Sequence, residues 1–154
     1  MTVTVVNDVR LAPVGEDLTT DDLTLQIVRG WEKMHRVDLP MASGVSLGAG
    51  QWAALGSDGK LHACSGSAVP ASFLVLGGND RFDAKATGNA TVIMSSQVVV
   101  MSARYDQTQS YVVGDYLTAK MTSGLLTKAS GSDVKHALVM GVGAGVLTYM
   151  TLSV

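Results

Sequence analysis

From Val45 to the end of the chain, short runs of Val, Thr, Leu and Tyr are separated by Gly, Ser, Asn and Asp at intervals of about 8 to 12 residues. Spacing of that kind leaves no room for convincing helices, and it is the cadence of an antiparallel sandwich or barrel. Strands are expected at 73–76, 91–94, 97–102, 137–142 and 146–152, with Gly143-Ala144-Gly145 turning the last two into a hairpin.

One phrase is written twice. LGAGQWAALGSDGKL at 47–61 and YVVGDYLTAKMTSGLL at 111–126 each give a Gly, a polar residue, an aromatic, an apolar run, a turn Gly and then Leu. Gly50 aligns with Gly114 and Trp52 with Tyr116, while Leu55 falls near Ala119, Gly59 near Gly124 and Leu61 near Leu126, with one extra residue in the second copy. Both read as hairpins, the first turning at Asp58-Gly59, which can supply the positive φ angles of a tight primed turn, and the second at Ser123-Gly124. Two copies are too few for a repeat array, so the expectation is a pair of similar hairpins in one domain. Shared ancestry and convergence on common hairpin grammar both fit. Trp52 and Tyr116 are the expected anchors, because one buried aromatic removes about 150–250 Å² from water.

Residues 23–39 carry two patterns. Leu23, Leu25 and Ile27 alternate as in a strand, while Leu23, Ile27, Trp31 and Met34 share one helical face. Gly30 in the middle favours the strand, since a glycine inside a helix costs about 1 kcal/mol relative to Ala and in a sheet marks a bulge or bend. Upstream, Glu16, Asp17, Asp21 and Asp22 sit among Thr, Gly and Pro13, and only MTVTVV alternates cleanly. The organisation expected is therefore an extended N-terminal arm at 1–22, or a tail without fixed structure, followed by one all-β domain at 23–154, a β-barrel or sandwich with paired hairpins.

At 154 residues the chain fits a single domain with its own core. Only 16% of its residues are charged, against a usual share of about 25%, while 47% are hydrophobic. An exterior so poor in charge is expected to be covered by partners, copies of itself included. The formal charge of −2 and the scatter of the 11 basic residues argue against nucleic acid and against an anionic membrane surface as partner. No apolar run approaches the roughly 20 residues of a membrane span, and MTVTVVNDVR lacks the pattern of a secretory signal.

Candidates for chemistry are sparse. His62 and Cys64 form an H-x-C pair that shares one strand face, without the spacing of a zinc site. Ser65-Gly66-Ser67 reads as a turn rather than a nucleophile elbow, and GVGAG at 141–145 lacks the glycine spacing and following helix of a dinucleotide loop. No catalytic residue, metal or cofactor is assigned. Arg29, Glu32, Lys33, His35 and Arg36 make the densest charge patch, and its mixed signs suit an interface rim.

The succession RGWEKMHRVDLP, LGAGQWAALGSDGKL, then YVVGDYLTAK with LLTKA and a closing apolar strand resembles capsid decoration, or cement, proteins of tailed bacteriophages. In that family two hairpins of these forms recur, and the resemblance spans roughly residues 29–154. It implies a non-enzymatic virion protein, made in the host cytoplasm and held on the capsid exterior, where it clamps neighbouring major capsid protein subunits. A homotrimer is the favoured self-association and a dimer the alternative. The interface residues expected are Val3, Val5 and Leu11 of the arm with Arg29, Trp31 and Arg36. Another virion β module (tail tube, head fibre or baseplate) is compatible with the same residues, as is a small β-barrel enzyme, which would need His62 or His136 set against an acid in a pocket.

Overall fold

The computed structural model describes residues 9–10, 25–30, 32, 34–77 and 88–152. Twelve strands and no α-helix occur among them: β1 (Val9–Arg10), β2 (Gln26–Arg29), β3 (Arg36–Pro40), β4 (Trp52–Leu55), β5 (Leu61–His62), β6 (Ser72–Gly77), β7 (Asn89–Ile93), β8 (Val99–Ser102), β9 (Tyr116–Ala119), β10 (Leu126–Lys128), β11 (Ala137–Gly143) and β12 (Val146–Thr151). They build a seven-stranded sheet in the order β1-β2-β8-β12-β11-β9-β10 and a five-stranded sheet in the order β3-β7-β6-β4-β5. The named strands pair antiparallel throughout, and neither sheet closes on itself. Of the two all-β architectures expected, the sandwich-like one forms.

Residues 23–39 hold two strands rather than one. β2 ends at a register shift between Ile27 and Arg29, and β3 enters the other sheet. Gly30 sits at the break with φ 83°, and a Cβ there would lie 2.8 Å from the Gln97 carbonyl oxygen. The chain can pass the start of β8 so closely only because this residue has no side chain. Of the expected arm, the described residues 9 and 10 form β1, which pairs with β2 through Val9–Ile27 and Arg10–Gln26.

The doubled phrase turns out to be the visible part of a larger doubling. β3 to β7 and β8 to β12 run through the same chain order and the same spatial order, β3-β7-β6-β4-β5 against β8-β12-β11-β9-β10. We call these the first lobe (35–94) and the second lobe (98–151). Their registers superpose strand by strand. Trp52 faces Leu74 as Tyr116 faces Leu138, and Val37 faces Val92 as Val100 faces Tyr149. A bulge falls between Val75 and Gly77 in one and between Val139 and Gly141 in the other. Even the isolated parallel bridges correspond, Met41–Leu61 with Tyr105–Leu126.

The turns before β4 and β9 share one device. The Gln51 N–H donates to the Gly48 carbonyl and the Gly48 N–H to Gln51 Oε1 at 2.7 Å; likewise the Asp115 N–H donates to the Val112 carbonyl and the Val112 N–H to Asp115 Oδ2 at 2.9 Å. Between them Gly50 and Gly114 take φ of 87° and 97°, where a side chain would be strained. Each turn is then pinned to the sheet neighbour of the strand it opens, Gly50 N–H to the Val75 carbonyl of β6 and Gly114 N–H to the Val139 carbonyl of β11. The hairpin turns also match, with Gly59 N–H donating to Gly56 and Gly124 N–H to Met121. In the first of these only Gly59 has positive φ; Asp58 does not, so the turn is not the primed type expected.

Alternation along the strands sorts the side chains. The inner face of the second lobe carries Val100, Leu117, Leu126, Val139, Leu147 and Tyr149, all buried in the main core. Their counterparts in the first lobe, Val37, Ala53, Leu61, Val75, Ala90 and Val92, line that lobe's own inner face, and all but the half-buried Val37 belong to a separate cluster with Leu47. Trp52, Leu74, Leu76 and Ile93, on the outer face of the first lobe, join the second lobe's core and weld the lobes together. Full burial of each aliphatic side chain among them contributes about 1.5–3 kcal/mol.

Candidate docking surfaces

The lobes meet in one direction only, outer face of the first against inner face of the second. Four polar contacts fix that meeting. Trp52 N–H donates to the Gly124 carbonyl at 2.8 Å, Gln51 Nε2 to the Ser123 carbonyl at 3.0 Å, and Gly66 N–H to the Lys120 carbonyl at 2.8 Å. His136, buried and stacked at a tilt on Trp52, accepts the Ala119 N–H at Nδ1 and faces the Val69 carbonyl with Nε2 at 2.8 Å, which sets the proton on Nε2. Burial holds the imidazole below its ordinary pKa, and the Val69 bond opposes that only in part. Ser72, the counterpart of His136, donates to the same carbonyl. The Tyr149 hydroxyl and the Trp52 indole N–H are buried in the same core, and burial raises the phenol's pKa well above its usual value.

Each lobe therefore leaves open what the other has covered. On the outer face, Trp52 and Leu76 are 3% and 1% exposed, whereas their counterparts Tyr116 and Met140 are 42% and 44% exposed. Val112 and Val113 extend the apolar surface, while Gly48 and Ala49, which correspond to these two turn valines, are buried. The inner face shows the inverse. Thr151 is 4% exposed and its counterpart Met94 is 41% exposed. Leu39, Leu55 and Phe73 are only partly buried, while Ser102, Ala119 and Ala137 in the second lobe are fully buried. Tyr116, expected as a buried anchor, is thus a surface residue with the Lys135 ammonium 4.5 Å from its ring centroid. The second hairpin is anchored instead by Leu117 and Leu126.

A cleft of about 420 Å³ opens between the lobes, lined by Trp52, Phe73, Ile93 and Met94 of the first and by Thr151 and Leu152 near the end of the second, among others. Among the described residues no ionisable side chain lines it. His62 and Cys64 do not converge: His62 Nε2 lies 3.0 Å from the Asp58 carboxylate at the surface, whereas Cys64 is buried with its thiol toward the Trp52 carbonyl, and burial raises its pKa. Among the described residues no group of three or more His, Cys, Asp or Glu is placed to hold a metal. No described helix is long and apolar enough to cross a membrane.

Of the interface residues expected from sequence, Val3, Val5, Leu11 and Trp31 lie outside the described residues. Arg29 and Arg36 are both exposed, one closing β2 in the larger sheet and the other opening β3 in the smaller. Sequence reading did not single out the faces around Tyr116 and Met94. The usable signal was the second doubled motif, Cys64-Ser65-Gly66-Ser67 against Ala129-Ser130-Gly131-Ser132, with both glycines at positive φ, which extends the repeat beyond the hairpins. No known protein family matches the chain, and no curated protein or solved structure is significantly similar to it.

Proposed function

We propose that this chain is a virion structural protein that binds the outer surface of a phage capsid and stabilises contacts between major capsid protein subunits, as a homo-oligomer, with a trimer favoured over a dimer. The observation that carries this reading is the apolar outer face of the second lobe, around Tyr116, Met140 and Val113, on a chain with only 16% charged residues. Faces of that kind mark protein contact surfaces. A protein that binds the assembled shell and not its free subunits stabilises the shell by mass action, by about 2.7 kcal/mol per site at a free concentration 100 times its dissociation constant. Arg29 and Arg36 are proposed for the polar rim of the capsid contact, and Val3, Val5, Leu11 and Trp31 for its apolar part.

Co-sedimentation tests the reading. Labelled protein is expected to pellet with expanded heads that lack it, saturably, and to leave tails unlabelled. Binding to tails alone would move the assignment to a tail or baseplate module, and binding to neither would end it.

A further inference from the structure

We infer that copies of this chain associate head to tail, the outer face of one copy's second lobe seating on the inner face of the next copy's first lobe, as an intermolecular repeat of the contact already made between the lobes. The inference stands on the internal repeat and not on the capsid reading, so either can fail alone.

Three paired observations carry it. The donor face is present twice: Trp52, Leu74, Leu76 and Ile93 are buried by the second lobe, while Tyr116, Leu138, Met140 and Met150 occupy the same register positions and are exposed or half-buried. The acceptor face is also present twice: Ala119, Ala137 and Thr151 are covered by the first lobe, while Leu55, Phe73 and Met94 stand partly or wholly open. Finally, the turn that receives the donor strand is packed in one lobe and bare in the other. A Cβ on Gly124 would lie 3.0 Å from the Trp52 carbonyl oxygen, whereas one on Gly59 would meet nothing within 4 Å.

A surface that is apolar in both lobes but covered in only one has a complementary partner already built into the same chain. The occupant that fits both open faces at once is therefore a second copy. Because the two faces differ, the contact is heterologous; it closes into a ring if the rotation between successive lobes divides a full turn, and otherwise grows as a filament.

Light scattering with size-exclusion chromatography on the full chain, over a concentration series, tests this. Wild type is expected to exceed the 16.0 kDa monomer at least twofold. Met140→Asp spoils only the donor face and Met94→Asp only the acceptor face; both side chains are exposed, so far-UV circular dichroism should be unchanged, and each variant is expected at the monomer mass. Val113→Asp, at the exposed counterpart of the buried Ala49, serves as a second donor-face variant. Mixed in equal amounts, the Met140→Asp and Met94→Asp chains retain one good face each and are expected to form a species of twice the monomer mass and nothing larger. A wild type that stays monomeric at every concentration, a variant that keeps the wild-type mass, or a mixture that stays monomeric would each overturn the inference.

Discussion

Trp52 and Tyr116 open equivalent strands behind equivalent glycine turns, and one is buried under the second lobe while the other carries a lysine over its ring at the surface. The loops that lead into these strands diverge in the same sense. In the first lobe Met41, Val45 and Leu47 pack as an apolar lid on the small core. In the second, Tyr105 and Tyr111 stack edge to face, and Asp106, the counterpart of Ala42, takes the hydroxyls of Thr108 and Thr127 and the Thr108 N–H. Those hydroxyls hold Asp106 below the usual carboxylate range, and burial pushes Tyr111 up to about 12 while its hydroxyl donates to the Asp106 carbonyl. One topology thus supports two chemistries of packing. The first lobe's loop packs through apolar side chains on its small core, and the second lobe's loop is braced by hydrogen bonds.

The sharpest break in this comparison is the aromatic pair. In the monomeric Met140→Asp background, Trp52→Ala is expected to lower unfolding free energy by about 3–5 kcal/mol and Tyr116→Ala by no more than about 0.5 kcal/mol, read from urea denaturation. Equal costs would mean that the two outer faces are not in different surroundings. The turn glycines come next. Gly59→Ala should cost about 1–2 kcal/mol, the strain of a left-handed alanine, and Gly124→Ala more than that, because its Cβ also presses on the Trp52 carbonyl. A thermal-melt comparison of the two variants that gives the same loss would show the lobe contact to be looser than described.

pH separates the lobes at His136, whose counterpart Ser72 does not titrate. The imidazole's folded pKa is depressed, so the unfolded chain binds the proton more readily and its contribution is fully present above the unfolded value of about 6.5. Stability should therefore fall as pH drops below about 6.5 toward the folded pKa, with a slope of at most about 1.4 kcal/mol per pH unit for one proton. Asp106, Asp115 and Asp133 have depressed pKa values too, but their contribution is lost only below about 4, so the two windows separate. Denaturation midpoints flat from pH 7.5 to 5 would contradict the buried neutral histidine. Tyr111→Phe is expected to cost about 0.5–1.5 kcal/mol, for one hydrogen bond to the Asp106 carbonyl, with Leu47 as the counterpart that never had it; a loss above that in urea denaturation would mean the phenol does more than brace the loop.

Much of the second half of the fold was legible. The strands expected from 73–76 to 146–152 all occur, within a residue or two at their ends, because alternation and glycine breaks are local signals. The hairpin alignment is matched in the strand registers, where Leu55 pairs with Leu61 as Ala119 pairs with Leu126. β3 was harder to see. Its exposed–half-buried alternation over Arg36–Pro40 has little apolar content, as an edge strand ending in proline can afford, and the helical periodicity across Gly30 blurred its start. The docking faces were not legible at all, since Leu74 and Leu138, or Leu76 and Met140, are interchangeable as hydrophobic letters.

By itself, then, the order of residues determined the strands, the turns with their capping side chains, and the fact that one hairpin was made twice, because each depends on backbone conformation and neighbours a few positions away. Only the tertiary structure decided that the doubling extends to five strands, and which copy of each apolar face is buried. Burial depends on what lies across the sheet from a side chain, and two lobes stacked in one direction can cover one outer face and one inner face while leaving the other two to water or to another molecule.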